Sequence, residues 1–166
     1  MLLQQQFTVS APLADAWAFF QDVPAIAGCM PGVERIDEIG PGNFEGVVRL
    51  RVGPLSFRLS GRVVQQDVDL VAHRATLVVT AEDRALASAV SAKLRLRLAE
   101  DSGESTAVSL ETDANVLGKL GQFGQGVIKL TADGILKQFA ACTRQRLAQP
   151  ESVAPAVPAD GNKGVE

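Results

Sequence analysis

Hydrophobic and polar residues alternate through the middle of the chain, which is the pattern of half-buried β-strands. The alternation appears in five stretches, residues 44–52, 55–63, 77–79, 90–98 and 108–114. A period of two with one apolar face is typical of an antiparallel sheet that buries one side. With further strands over Leu2–Val9 and Val33–Ile39, the pattern predicts about seven strands, mostly joined by short turns.

Helical patterns occupy two other parts of the chain. Two short helices are predicted over Ala14–Gln21 and Val23–Cys29, and a long one over Lys119–Ala148. A long helix that follows an antiparallel sheet can bury its apolar stripe only by lying across the apolar face of that sheet. The fold class is therefore predicted to be α+β, with a curved seven-stranded antiparallel sheet and a long C-terminal helix that enclose an apolar cavity.

The domain organisation is predicted to be one folded unit over residues 1–149 and a disordered tail over residues 150–166. The tail is rich in proline and alanine and has no hydrophobic period. Its acidic residues Glu151, Asp160 and Glu166 outnumber Lys163. Without an apolar stripe or a basic cluster, the tail is not expected to anchor the protein to a membrane.

Composition narrows the class of protein and its location. A formal net charge of −3 gives no general attraction to nucleic acid or to anionic membranes. The N-terminus lacks the features of a signal peptide, and no stretch approaches the roughly 20 apolar residues of a membrane span. Cys29 and Cys142 are far apart and form no CxxC motif, which favours a reducing compartment. We therefore expect a cytoplasmic protein in which Cys29 is a buried, unreactive thiol.

Residues suited to catalysis are scarce. His73 is the only histidine, and the chain has no tyrosine. A histidine-based metal site is thus not expected, and a Cys29–His73 dyad has little support from two residues so remote in sequence. The carboxylate pair Glu82-Asp83 is interpreted as part of a solvated turn. We predict no enzyme activity, no catalytic residue and no metal ligand.

Two further features leave alternatives open. Five glycines lie at the start of the long helix or within it, where each interior glycine costs about 1 kcal/mol relative to alanine. They indicate either close packing on the sheet or a flexible lid over a cavity. The outer face of the predicted sheet carries arginines, which form either a solvated, salt-bridged surface or a docking site for an acidic partner. The two sets are Gly118, Gly121, Gly124, Gly126, Gly134 and Arg49, Arg51, Arg58, Arg62, Arg95, Arg97.

The element order resembles the START-like (SRPBCC) helix-grip superfamily, and within it the CoxG family, the G subunits of carbon monoxide dehydrogenase. The resemblance spans about residues 2–147. The cysteine-x-proline-glycine segment and the glycine-lysine-leucine segment, at this spacing, make it fairly specific. The matching segments are Phe7-Thr8-Val9, Ala11-Pro12, Trp17, Gly28-Cys29-Met30-Pro31-Gly32, Gly46, Val52-Gly53-Pro54, Gly61 and residues 116–124.

The resemblance implies an accessory protein of a molybdenum hydroxylase of the carbon monoxide dehydrogenase type. Its partners would be the hydroxylase subunits and a hydrophobic small molecule, such as a quinone or lipid, with no covalent cofactor. It further implies a role in membrane recruitment or electron transfer, with peripheral association at the inner face of the cytoplasmic membrane. The rival hypotheses are a superfamily enzyme of cyclase or hydrolase type and a structural assembly factor with a filled core.

The ligand pocket is predicted to lie under the glycine-rich start of the long helix. Its lining is expected to come from the apolar face of the sheet and from the first turns of that helix. The predicted ligand-binding residues are Leu50, Phe57, Leu59, Leu77, Val90, Leu94, Leu96, Leu120, Phe123 and Val127.

Overall fold

The computed structural model describes residues 1–148, which form a seven-stranded antiparallel sheet and three α-helices. The strand order in the sheet is β1-β7-β6-β5-β4-β3-β2, so β1 crosses over to pair with the last strand. In chain order the elements are β1 (Leu2–Val9), α1 (Leu13–Gln21), α2 (Val23–Cys29), β2 (Val33–Gly40), β3 (Asn43–Val52), β4 (Leu55–Asp69), β5 (Arg74–Asp83), β6 (Ser88–Ser102), β7 (Ser105–Gly118), a 3₁₀ turn (Leu120–Phe123) and α3 (Gly124–Ala148).

The α+β fold class predicted from hydrophobic periodicity is confirmed. One boundary differs, because α3 begins at Gly124 rather than at Lys119. The preceding residues Leu120–Phe123 form a 3₁₀ turn, and Gly124 has a φ of +83°, which interrupts the helical path. The predicted disordered tail lies outside the described residues. No helix within residues 1–148 combines the length and the hydropathy needed to span a bilayer.

Buried side chains form two separate clusters. The first core cluster packs α1, α2 and the second half of α3 against β1, β6 and β7, and it includes Trp17, Phe20 and Phe139. The second core cluster lies under the 3₁₀ turn, where Leu120 packs against Phe57 and other side chains of β3 and β4. The long helix is therefore held near its two ends, with a less tightly packed stretch between them.

A disulfide joins Cys29 at the end of α2 to Cys142 in α3. The two Cα atoms lie 5.4 Å apart, within the range that a disulfide requires. The prediction of a free thiol at Cys29 is thus wrong, and the cysteine-based argument for a reducing compartment loses its support. Sequence spacing could not reveal the pair, because it forms only when α3 runs back across the sheet to α2.

The arginines of the outer sheet face are partly neutralised. Glu34 accepts from Arg49 Nε at 2.9 Å and from Arg58 Nε at 3.0 Å, and these two hydrogen bonds hold the pKa of Glu34 below its usual value. Arg62 pairs with Glu45 at 3.4 Å. Arg51, Arg95 and Arg97 make no ion pair with any residue in 1–148. All of these side chains are largely exposed, so their ion pairs contribute little to stability.

Candidate functional site

An apolar cavity of about 240 Å³ lies between the inner face of the sheet and α3. Strands β1, β5, β6 and β7 supply one wall. Phe20 of α1, Ile26 of α2 and Met30 just beyond α2 supply another, and the middle of α3, from Ala132 to Phe139, closes over them. An apolar cavity of about 150 Å³ can hold benzene, so this one has room for a molecule of one or two rings.

The cavity wall carries almost no polar surface. Gln5 and Thr112 are its only side chains with hydrogen-bonding groups, and no acidic, basic or cysteine side chain belongs to the lining. Ligand pockets are commonly apolar with a few placed polar groups, although most are somewhat larger, at about 300 Å³ and above. The site can therefore bind a small hydrophobic molecule, and it offers no titratable group for acid–base chemistry.

The ten predicted ligand-binding residues fall in two different places. Leu77, Leu94 and Leu96 line the cavity. Val127 lies outside both, on a helix face where it is 38% exposed. The other six belong to the second core cluster, where side chains pack against one another: Leu50, Phe57, Leu59, Val90, Leu120 and Phe123.

The 3₁₀ turn explains this division. It carries Leu120, which is buried, and Phe123, whose ring meets that of Phe57 edge-on with centroids 6.4 Å apart. These side chains fill the space at this end of the sheet. The cavity therefore lies one to two helical turns further along α3 than the predicted position under the glycine-rich segment.

Several cavity residues were not among the predicted lining. Leu3, Gln5 and Phe7 of β1 face the cavity, as do Ile135 and Phe139 of α3. The alternation of Leu3, Gln5 and Phe7 with exposed neighbours was a usable signal for this face. What the sequence did not reveal is that β1 pairs with β7, from Leu2 opposite Asp113 to Val9 opposite Thr106, and so joins the same wall as β6.

The glycines of the long-helix segment have two different environments. At Gly118, which has a φ of +78°, an added Cβ would collide with the backbone of Ala87. At Gly121 it would lie 2.6 Å from the Val116 carbonyl oxygen. At Gly126 and Gly134 an added Cβ would meet nothing within 4 Å. Close packing thus accounts for the first two, while a lid function for the helix stays a prediction.

One polar contact connects the cavity wall to the helix above it. Gln5 Nε2 donates to Asp133 Oδ1 at 3.0 Å, and Asp133 Oδ2 accepts from Lys129 Nζ at 3.0 Å. The hydrogen bond from Lys129, followed by that from Gln5, holds the pKa of Asp133 below its usual value. Asp133 is therefore ionised at neutral pH and accepts both hydrogen bonds.

His73 lies away from the cavity, in the turn between β4 and β5. Its ring packs edge-on against Trp17 with centroids 5.3 Å apart, and its φ is +57°. The proposed Cys29–His73 dyad has no thiol in this structure, because Cys29 is bonded to Cys142. Within residues 1–148, no three His, Cys, Asp or Glu side chains cluster closely enough to hold a metal ion.

The fold and cavity define a protein of the helix-grip class, and solved structures agree. A conserved protein from Geobacillus kaustophilus superposes with a TM-score of 0.82 at 16% identity, over 90% of this chain and 96% of that one. A START superfamily protein from Mycobacterium smegmatis gives 0.68 at 12% identity, over 90% and 98%. Norcoclaurine synthase from Thalictrum flavum, in complex with a transition-state analogue, gives 0.67 at 15% identity, over 92% and 96%. At these identities the likeness establishes the fold alone.

The sequence itself identifies the family. The family model for CoxG, the G subunit of carbon monoxide dehydrogenase, matches residues 6–148, and this chain belongs to that family. No curated protein matches the sequence. CoxG is a family of accessory subunits, which associates this chain with the carbon monoxide dehydrogenase system, although its structural neighbours include enzymes.

Proposed function

We propose that this chain is an accessory protein of a molybdenum hydroxylase of the carbon monoxide dehydrogenase type and that it binds a hydrophobic ligand, such as a quinone or lipid. The apolar cavity carries the proposal. It is large enough for a one- or two-ring head group and is almost wholly apolar. Any longer hydrocarbon tail would have to extend beyond the cavity, since 240 Å³ leaves no room for it.

The role that follows is to hold such a ligand for the partner enzyme and to aid membrane recruitment or electron transfer. A quinone is stored in lipid and is poorly soluble in water, so its transfer benefits from a protein that shields the ring. Contact with a membrane would come through the partner enzyme or through the mouth of the cavity. The membership in the CoxG family supports the choice of partner.

The rival hypotheses are weaker on specific grounds. Acid–base catalysis inside the cavity needs a group that can gain or lose a proton near neutral pH, and the described lining offers only Gln5 and Thr112 as polar side chains. A structural assembly factor would be expected to fill its interior with side chains. The second core cluster fits that description, but the cavity beside it does not.

The substitution Ala132→Phe tests the cavity as the binding site. Ala132 lines the cavity from α3, so a phenyl ring at this position would occupy the space of the ligand. We expect affinity for a short-chain naphthoquinone, measured by isothermal titration calorimetry, to fall by more than about tenfold, which corresponds to about 1.4 kcal/mol.

The matched control is Leu130→Phe on the same helix. Leu130 is 74% exposed, so the same aromatic side chain there should leave affinity unchanged. Thermal unfolding of both variants checks that the fold is retained. Unchanged quinone binding by a folded Ala132→Phe variant would place the site elsewhere. Native mass spectrometry of protein purified from its own host, followed by lipid extraction, would identify the ligand.

A further inference from the structure

The orientation of the Gln5 amide restricts the chemistry of a ligand in the cavity. Its Nε2 donates to Asp133 Oδ1 at 3.0 Å and makes a longer contact of 3.5 Å with the carbonyl oxygen of Ala132. These two acceptors account for both hydrogens of the NH2 group. The carbonyl oxygen Oε1 accepts no hydrogen bond from residues 1–148, and Gln5 belongs to the cavity lining.

Asp133 prevents the amide from turning round. An ionised carboxylate only accepts hydrogen bonds, so it repels a carbonyl oxygen that faces it and attracts the NH2 group. Lys129, which donates to the other carboxylate oxygen at 3.0 Å, keeps Asp133 in place and in its ionised form. The helix therefore fixes which end of the Gln5 amide is left over, and that end is an acceptor.

Thr112 is the other polar side chain of the wall. It faces Leu3 in the register of β1 and β7, and Gln5 faces Leu110, so the two polar residues are diagonal neighbours on one face. Such neighbours lie roughly 7–8 Å apart. The Thr112 hydroxyl can both donate and accept, so it does not discriminate between ligands by polarity. The discrimination falls to Gln5.

We propose that the cavity selects apolar molecules that end in a hydroxyl group over those that end in a carbonyl or an ether. Gln5 Oε1 would accept the hydrogen bond, and Asp133 would act as a positioning residue for the amide. Phenols, hydroquinones and apolar alcohols belong to the favoured class, and quinones and ketones to the disfavoured one. The inference rests on the proposed function, because it concerns the same cavity.

The reason for the preference is electrostatic. A hydroxyl group that donates to Gln5 Oε1 exchanges its hydrogen bond with water for one in the cavity. A carbonyl or ether oxygen in the same position would face another oxygen, and both acceptors would lose their hydrogen bonds to water. An unsatisfied buried polar group is unfavourable, so a preference of about tenfold is expected.

A matched pair of probes measures this preference without redox chemistry. 4-Hexylphenol and 4-hexylanisole share the ring and the alkyl chain, but only the phenol can donate a hydrogen bond. Calorimetric titration of the full chain should give about tenfold tighter binding of the phenol. The substitution Gln5→Met keeps much of the side-chain volume and removes the acceptor, so it should bring the two affinities close together.

The substitution Asp133→Asn provides the sharper test. The new amide can donate to Gln5 Oε1, which lets the Gln5 amide turn and present its NH2 group to the cavity. Asp133 is not part of the lining, so the cavity keeps its shape. We expect the preference for the phenol to disappear or to reverse. Lys137→Met, which also changes one charge on an exposed position of α3, should retain the preference of the unmodified protein.

The outcomes separate the two proposals. If the unmodified protein binds both probes equally, or if Asp133→Asn retains the full preference for the phenol, the inference about Gln5 is overturned and the apolar site stands. If the unmodified protein binds neither probe nor the naphthoquinone, the proposed function fails and the inference fails with it.

Discussion

Reduction of the Cys29–Cys142 disulfide is expected to lower the free energy of unfolding by about 4 kcal/mol. The bond closes a loop with a sequence separation of 113 residues, and a cross-link over so long a loop strongly restricts the unfolded chain. It also joins the end of α2 to the second half of α3, two elements that border the cavity. Reduction should therefore also weaken the binding of an apolar probe.

Denaturant unfolding with and without dithiothreitol measures the effect. The double variant Cys29→Ala/Cys142→Ala should unfold at the same denaturant concentration as the reduced protein and should not respond to the reductant. Thiol titration of the unfolded, unreduced protein should detect no free thiol. Two free thiols in protein purified without reductant, or equal stability with and without reductant, would contradict the pairing.

The disulfide illustrates which features the sequence could not predict. The β-strands were visible because each one repeats its own pattern of apolar and polar residues, as in the stretch Leu94–Leu98. A contact between α2 and α3 has no such local signature. It depends on the path of the chain through seven strands, so the cysteine spacing alone carried no information about pairing.

The position of the cavity was misplaced for a similar reason. The sequence correctly indicated an apolar sheet face and a long helix opposite it, and it named Leu77, Leu94 and Leu96. It did not indicate that Leu120–Phe123 would form a 3₁₀ turn whose side chains fill one end of the sheet. Which part of a long helix covers a filled core and which part covers empty space is decided by such a turn.

The Gln5–Asp133 contact has the same character. Both residues look like ordinary surface positions in the sequence, since glutamine in a strand and aspartate in a helix are common in solvent. Their meeting follows from the way α3 lies beside the edge strand β1, with a sequence separation of 128 residues between Gln5 and Asp133. Polar groups that define a ligand site are therefore harder to predict than its apolar walls.

The same truncation at two leucines should separate the filled core from the cavity. Leu59 is 5% exposed and belongs to the second core cluster, so Leu59→Ala removes many contacts and leaves a new void. We expect a loss of about 3 kcal/mol in the free energy of unfolding. Leu94 is half-buried and already borders empty space, so Leu94→Ala loses fewer contacts and should cost about 1 kcal/mol.

A saturating apolar probe should reverse the significance of the two sites. A ligand at about 100 times its dissociation constant stabilises the folded state by about 2.7 kcal/mol. Leu59→Ala should keep this gain, because the second core cluster does not touch the ligand. Leu94→Ala should lose part of it, because its side chain forms the wall of the site. Chemical unfolding of both variants with and without 4-hexylphenol measures the four values. Equal losses without the probe, together with equal gains in its presence, would mean that Leu94 borders no ligand cavity and that the sheet is filled along its whole length.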